Sequence, residues 1–396
     1  MNEIIPYGKQ ELTEQDITAV VNVLKSDYWT QGPVIGEFEK DFAKYVNSKY
    51  AIAVANGTAA LHLCAMAMNI KPGQKVITTP ITFAASANCI RYCGGEVVFG
   101  DIDPKTYLLD LKYVRRLLNE SPKGTYAGII PVDFAGYATN LEEFRQLANE
   151  YDMWIIEDSC HAPGGSFIKK NGTESKCGSS EFADLAIFSF HPVKHIAAGE
   201  GGMITTNNKE LYDRIISLRT HGIVKDDSKY CNSKEFAAGI PNDDYPKWYM
   251  EMQDLGYNYR IPDILAALGL SQLSRADDGI FRRRKIAEEY FNAFNGKGFV
   301  LGQSGVIPGH AYHLYVLEVK DRLELYNYLR SNGVYTQIHY IPCHLMPYYR
   351  SQGWKEGDLP NAENYYKNCI SLPMFPALSS ENQHKVINLI KRFYAR

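Results

Sequence analysis

The chain has 396 residues, a formal net charge of -3 at pH 7 and 45% hydrophobic residues, a share that is ordinary for a folded protein. This length predicts one large domain and a smaller one, and the sequence has no apolar run of about eighteen residues that would predict a membrane span. Apart from the short basic run 282–285, which is typical of a solvated helix face, no basic block indicates a nucleic-acid surface.

The N-terminal residues and the cysteines bear on the cellular compartment. The stretch MNEIIPYGKQELTEQD is polar and acidic and lacks the features of a signal peptide. The eight cysteines form no C-x-x-C pair, and no His/Cys spacing resembles a zinc site. We therefore expect a cytoplasmic protein with reduced thiols and without a bound metal.

The first half of the chain alternates between two kinds of pattern. Residues 12–26 and 35–46 have helical spacing of apolar side chains, with Thr13 as a plausible N-cap. Short apolar runs alternating with helical stretches then follow, at 51–56, 75–80, 95–102, 127–134, 153–159, 184–190 and 201–207. This alternation predicts an α/β fold with a mostly parallel sheet covered on both faces. Ligands bind such sheets beyond the carboxyl ends of the strands.

The second half is less regular. Residues 225–255 are polar and aromatic without a clear period, which predicts a long loop or insertion. One long helix is predicted from Pro262 to Phe294. The remainder indicates a small α/β unit, with strands at 311–319 and 333–340 and helices at 321–331 and 379–394. We therefore predict a large domain over 1–275 and a small C-terminal domain over 276–396.

Lys194 lies in FSFHPVKHIAAGEGG, between two apolar runs. Most lysines are solvated surface residues, but this one follows Ser189, which can donate to an anion, and precedes glycines that allow close backbone approach. A lysine that attacks a carbonyl needs a partly desolvated, polar-lined site so that its amine is neutral. The pattern favours such a lysine.

Asp158 ends the apolar run WIIEDS, where a buried carboxylate needs a partner. It could cap a helix or pair with an arginine. It could also face the pyridine nitrogen of pyridoxal phosphate (PLP) and keep that nitrogen protonated. Because Asp158 and Lys194 each lie at the end of a predicted strand, the second interpretation gains weight, and His161 lies close enough in sequence to contact the same ring.

Two further motifs are less specific. Gly57 and Thr58 follow a strand and begin a helix, an arrangement that binds phosphate but is also an ordinary turn with an N-cap. Asn258 and Arg260 precede a long apolar-faced helix in GYNYR and could be cap and salt-bridge residues.

Together with TQGP at 30–33, TTPITF at 78–83 and VDFAG at 132–136, these motifs resemble the nucleotide-sugar aminotransferases of PLP fold type I, the DegT/DnrJ/StrS family. The resemblance covers nearly the whole chain. It implies a mostly parallel seven-stranded sheet between helices, a small C-terminal α/β domain, PLP or its aminated form PMP as cofactor, and a homodimer with shared active sites.

The resemblance also implies roles for individual residues. Lys194 corresponds to the lysine that binds PLP covalently, Asp158 to the carboxylate at the pyridine nitrogen, and His161 to the residue beside the cofactor. Phe83 corresponds to the stacking aromatic residue. The phosphate positions are Gly57, Thr58 and Ser189, with Asn258 reaching the phosphate of the neighbouring subunit. The expected substrate contacts are Tyr7, Thr30 and Arg260. Apart from the resemblance, the aromatic, His-rich loop with His339, Tyr340 and His344 could close over the sugar, or it could be ordinary packing of the small domain. Lys9 and Arg219 are candidate cations for a diphosphate.

The segments 246–260, 334–350 and 359–379 look like those of a subset of the family, the aminotransferases of pseudaminic acid biosynthesis. This likeness implies transfer of the amino group of glutamate to C4 of UDP-2-acetamido-2,6-dideoxy-β-L-arabino-hexos-4-ulose. Three alternatives stay open: an aminotransferase for another UDP- or dTDP-linked 4-keto sugar, a PMP-dependent sugar dehydratase in which histidine replaces the lysine, and a non-catalytic relative.

Overall fold

The computed structural model describes residues 4–396, and this part of the chain contains fourteen strands and fourteen α-helices. The strands are β1 (Tyr50–Val54), β2 (Lys75–Thr78), β3 (Glu96–Phe99), β4 (Tyr126–Ile130), β5 (Trp154–Asp158), β6 (Ser166–Ile168), β7 (Glu174–Lys176), β8 (Leu185–Ser189), β9 (Gly202–Thr206), β10 (Ile223–Val224), β11 (Glu251–Met252), β12 (Val300–Gln303), β13 (Tyr315–Val319) and β14 (Cys369–Leu372).

The helices lie between and after these strands. They are α1 (Glu14–Leu24), α2 (Pro33–Val46), α3 (Gly57–Ala67), α4 (Ala85–Tyr92), α5 (Leu111–Asn119), α6 (Leu141–Glu150), α7 (Lys209–Arg219), α8 (Lys234–Ala238), α9 (Asp263–Leu273), α10 (Ala276–Phe294), α11 (Arg322–Ser331), α12 (Pro347–Arg350), α13 (Pro360–Asn368) and α14 (Ser380–Tyr394). None of the helices described combines the length and the apolar character that a membrane crossing requires.

A seven-stranded sheet forms the centre, in the order β1-β9-β8-β5-β4-β2-β3. Each neighbouring pair from β8 to β3 is parallel, whereas β9 runs antiparallel to both of its neighbours. The mostly parallel sheet predicted from the sequence is therefore confirmed. The carboxyl ends of β2, β4, β5 and β8 consequently meet at one edge.

Helices cover both faces of this sheet. Ile129 packs on one side, against α5 and α6, whereas its neighbour Ile130 packs on the other, against α3, α4 and α7. In β5, Ile155 packs on the same side as Ile129, and Ile156 packs on the same side as Ile130. Because successive side chains of a strand point to opposite faces, a strand buried on both sides must be apolar at consecutive positions, as these runs are.

The second unit is built on the antiparallel sheet β12-β13-β14. Its core contains Tyr315 of β13, Leu329 of α11 and Ile390 of α14. Ile5 packs in this same core and forms a backbone bridge with Val334, although it lies at the other end of the chain. The boundary at 275/276 stays a prediction, but the structure joins the start of the described chain to the C-terminal unit.

The structure adds β12, β14 and α13 to the predicted elements and differs from the predictions in further places. The single helix predicted from Pro262 to Phe294 is two helices, because the backbone leaves helical geometry at Arg275, which pairs with the buried Asp16 of α1 at 2.6 Å. The strand predicted at 333–340 is wrong, since this part of the described chain forms bridges with Ile5 and Ser371 without a ladder. The segment 225–255 is mainly irregular, as predicted, but contains α8.

Candidate active site

A cavity of about 480 Å³ opens where the carboxyl ends of the central strands meet. It brings together residues that are far apart in the sequence. Ten of the predicted site residues line it: Tyr7, Gly57, Thr58, Phe83, Asp158, His161, Ser189, Lys194, His339 and Tyr340. The parallel topology therefore assembles most of the site that the motifs predicted.

One wall of the cavity is the N-terminus of α3. The Asn56 side chain caps this helix by accepting from the Ala59 amide at 2.8 Å. The amides of Gly57 and Thr58 belong to the first turn, where no helical carbonyl is available to them. Gly57 also approaches β8 so closely that a Cβ there would lie 3.0 Å from Cβ of Ser189. The result is a cradle of amides and hydroxyls that suits a phosphate.

Asp158 lies at the base of the cavity and is almost fully buried. One carboxylate oxygen accepts from Ser86 Oγ at 2.7 Å, and the other accepts from the Cys160 amide at 3.1 Å. Since the Ser86 proton goes to the carboxylate, Thr82 is the donor in the 2.8 Å hydrogen bond between their hydroxyls. The chain Thr82–Ser86–Asp158 fixes the carboxylate. Sequence analysis missed both hydroxyls, although Thr82 lies in the motif TTPITF and Ser86 follows that motif by three residues.

Lys194 follows β8 in a tight turn, with its amide donating to the His191 carbonyl at 2.8 Å. Its side chain is half-buried against the cavity. Burial lowers the pKa of the Lys194 amine, while the nearby Cys160 and Asp158 act in the opposite direction. Burial wins because the charged form loses its hydration. The neutral, nucleophilic amine therefore forms more readily here than on a lysine in water.

His161 has a tautomer that its neighbours determine. The Ala135 amide donates to Nδ1 at 3.2 Å, so the ring proton is on Nε2, which lies 3.2 Å from the Tyr340 hydroxyl. Burial, with smaller contributions from Lys194, His339 and His195, lowers the pKa of His161 well below its usual value. A neutral imidazole therefore stands beside Asp158 and Lys194.

Comparison with known proteins assigns this arrangement. A family model described as the DegT/DnrJ/EryC1/StrS aminotransferase family matches residues 10–391. The chain belongs to this family.

Relatives of this aminotransferase match along almost their whole length. The spore coat polysaccharide biosynthesis protein SpsC of Bacillus subtilis is 36% identical, over 98% of this chain and 97% of the relative. The UDP-4-amino-4,6-dideoxy-N-acetyl-β-L-altrosamine transaminase of Campylobacter jejuni is 34% identical, over 93% of this chain and 92% of the relative.

Solved structures agree with the fold and with the cofactor. PseC of Helicobacter pylori, described as an aminotransferase in the biosynthesis of pseudaminic acid, superposes with a TM-score of 0.86 at 27% identity and full coverage of both chains. The putative sugar aminotransferase Spr1654 of Streptococcus pneumoniae, with 98% of each chain covered and 27% identity in both forms, has been solved with PMP (TM-score 0.86) and with PLP (TM-score 0.84). This aminotransferase therefore acts on sugars and uses PLP.

The residues in the cavity fit that cofactor. The α3 cradle matches a phosphate, the carboxylate of Asp158 matches a protonated ring nitrogen, and Lys194 matches an aldehyde carbon. Phe83 presents a ring that is 64% exposed, which is unusual for a large aromatic side chain and leaves its face free for stacking.

Several predicted residues lie elsewhere in the described chain. Thr30 and Asn258 are exposed, and Arg260 is half-buried with its Nε lacking a partner among the described residues. None of these three lines the cavity of its own chain. Their positions leave open the predicted contact with a neighbouring subunit, which stays a prediction.

Three further candidates do not line this cavity either. His344 is fully buried and bonded to Glu363 at 3.0 Å, so its position gives no support to a substrate contact. Arg219 pairs with Glu39 at 2.6 Å. Lys9 borders a separate cavity of about 290 Å³ on another side of the lysine loop.

Proposed function

We propose that this aminotransferase moves the amino group of glutamate to C4 of a UDP-linked 4-keto-6-deoxy sugar, specifically UDP-2-acetamido-2,6-dideoxy-β-L-arabino-hexos-4-ulose. The observation that carries the proposal is the likeness to the Campylobacter jejuni transaminase and to PseC, which extends over at least 92% of every chain compared. The similar identity to SpsC supports an alternative, an aminotransferase for a different 4-keto sugar.

Each cofactor-binding residue has one task in this proposal. Gly57, Thr58 and Ser189 hold the phosphate, Phe83 covers one face of the ring, and Asp158 keeps the pyridine nitrogen protonated. When bound, PLP supplies an electron sink that stabilises negative charge at the carbon from which a proton is removed. His161, held in place by Ala135 and Tyr340, places a neutral ring beside the cofactor.

Lys194 has two tasks in succession. It first binds the cofactor covalently through Nζ. Once the amino donor has displaced it, the free amine removes the proton from Cα of glutamate and delivers it to the C4′ atom of the cofactor. In the second half of the reaction the same amine takes the proton back from C4′ and passes it to C4 of the sugar. A dehydratase would need histidine at this position, so Lys194 favours transamination.

Tyr7, His339 and Tyr340 form the part of the cavity wall that we assign to the sugar. Tyr7 and His339 are in ring contact at 5.5 Å, and His339 Nδ1 is held by Ser371 Oγ at 2.9 Å. These residues come from the N-terminal segment and from the small unit. The sugar would therefore lie between the two parts of the chain.

The substrate assignment predicts a selective reaction. The purified enzyme with glutamate is expected to convert UDP-2-acetamido-2,6-dideoxy-β-L-arabino-hexos-4-ulose to a 4-amino sugar, identified by mass spectrometry and NMR. The dTDP-linked 4-keto-6-deoxy sugars and the enzyme without PLP are the controls. If only a different keto sugar is aminated, the substrate named in the proposal is wrong. If no keto sugar is aminated, the whole proposal is refuted.

We further propose a homodimer in which Asn258 and Arg260 complete the site of the partner, as the family resemblance implies. A heterodimer of Lys194→Ala and Asn258→Ala subunits, purified through two different tags, then has one intact site and one doubly defective site. About half of the wild-type activity per dimer is expected, although each homodimeric variant is impaired. If Asn258 acted within its own subunit, the heterodimer would show no recovery above the two variants.

A further inference from the structure

His313 lies in the active-site cavity but has no task in the mechanism above. It lines the cavity beside Lys194 and is only 4% exposed. Its ring centroid lies 4.3 Å from that of His161 and 5.6 Å from that of His195. Its Nδ1 is buried and has no hydrogen-bond partner within residues 4–396. A buried ring nitrogen without a partner is costly, and this cost bears on which nitrogen of His313 carries the proton.

The backbone holds this ring firmly in place. Leu314 donates to the Ala135 carbonyl at 3.1 Å, and the buried Arg283 donates to the His313 carbonyl at 3.3 Å. Gly136 packs so tightly here, at a φ of 97°, that a Cβ would lie 3.0 Å from the His313 amide nitrogen. The loop is therefore fixed against the turn that also orients His161.

The surroundings keep His313 neutral and decide which nitrogen is protonated. Burial lowers its pKa well below the usual value, and the facing groups Lys194, His161, His195 and Arg283 add to the effect. An unpaired buried N–H is rarer than an unpaired lone pair. The proton is therefore on Nε2, and that N–H is directed to the cavity because Nδ1 is enclosed.

The neighbouring imidazoles are already engaged. His161 is held at both nitrogens by Ala135 and Tyr340. His195 Nε2 donates to the Ala311 carbonyl at 2.9 Å, and His339 Nδ1 bonds to Ser371. His313 thus retains a donor for a bound ligand.

We propose that His313 is a substrate-binding residue that donates from Nε2 to the α-carboxylate of the amino-acid donor. Among the described residues that line the cavity, Lys194 is the one lysine and there is no arginine. Because the Lys194 amine must reach the α-carbon, the donors that this chain itself offers to the attached carboxylate are neutral, and His313 is one of them. An arginine from the neighbouring subunit would add to this contact without replacing it. This inference rests on an amino acid as donor, which the proposed function takes to be glutamate.

The test separates the two half-reactions. Holoenzyme is mixed with glutamate alone, and the loss of the visible absorbance of bound PLP is followed. Because a hydrogen bond to a charged group is at stake, His313→Leu is expected to lower the apparent second-order rate constant about 10–100-fold. His313→Gln keeps an N–H donor and should retain a larger part of the rate. The reaction of the PMP form with the keto sugar should stay within about threefold of wild type, since that substrate lacks the α-carboxylate.

His310→Leu is the matched control. His310 is 2% exposed, lies on the same loop and does not line the cavity. Thermal unfolding of both leucine variants measures any loss of packing. The proposal is overturned if His313→Leu reacts with glutamate like wild type, if His310→Leu is equally slow, or if the sugar half-reaction alone is lost. If the wild-type enzyme accepts a different amino acid, the assigned donor is wrong, and the same comparison with that amino acid still tests His313.

Discussion

Lys194→Ala is expected to abolish sustained turnover while leaving a folded protein that binds PMP. The substitution removes both the covalent attachment of the cofactor and the group that moves the proton between Cα and C4′. General acid–base catalysis by one side chain typically contributes about 10²–10⁴-fold, and the covalent role adds to this loss. The variant lacks the amine whose pKa is lowered by burial at this position.

The measurement is steady-state amination together with the spectrum of the bound cofactor. Lys169→Ala is a suitable control, because Lys169 forms an ion pair with Glu181 at 2.8 Å on the β6–β7 hairpin and does not line the cavity. It should be as active as wild type. Wild-type turnover in Lys194→Ala would mean that another group carries the proton, and the assignment of this lysine would be wrong.

Asp158→Asn should give the second largest loss, with the fold intact. The amide has the same shape but cannot pair as an anion with a protonated pyridine nitrogen, so the electron sink is weakened. Charge-assisted hydrogen bonds are worth about 1.5–3 kcal/mol, which corresponds to a rate loss of at least about 10–100-fold. The rate of each half-reaction should fall, because both use the same electron sink.

The hydroxyl chain behind this carboxylate provides a graded test. Ser86→Ala removes the 2.7 Å hydrogen bond to Asp158 but leaves the carboxylate charged. We therefore expect a smaller loss of rate than in Asp158→Asn. Asp184→Asn is the control, since Asp184 pairs with Arg145 at 2.7 Å before β8 and does not line the cavity. An unchanged rate in Asp158→Asn would show that a different group serves the ring nitrogen.

Much of the architecture could be predicted from the sequence because it follows local rules. Consecutive apolar residues such as Ile155 and Ile156 indicated a strand buried on both faces, and the polar residues that follow such strands marked the edge where the cavity lies. The start of α1 was predicted for the same reason, since Thr13 forms a capping box with Asp16 within one turn. The family motifs then placed Lys194, Asp158 and the α3 cradle in one site.

Contacts between distant segments could not be predicted in this way. The break between α9 and α10 occurs at Arg275, whose partner Asp16 is on α1, and His344 proved to be a buried partner of Glu363. In the same way, Ser86 supports Asp158 only through tertiary packing.

The sequence by itself determined the class of fold and the PLP cofactor and singled out Lys194 as the proposed catalytic lysine, because strand periodicity and short motifs are local properties of the chain. Only the tertiary structure decided which hydroxyls orient Asp158 and that His313 joins Lys194 in the cavity. Hydrogen-bond capacity and burial depend on every neighbour in space. His313 lies within an apolar strand-like run, so the sequence does not indicate its role. Its position in the cavity depends on backbone contacts with Ala135 and Arg283, which are distant in the sequence.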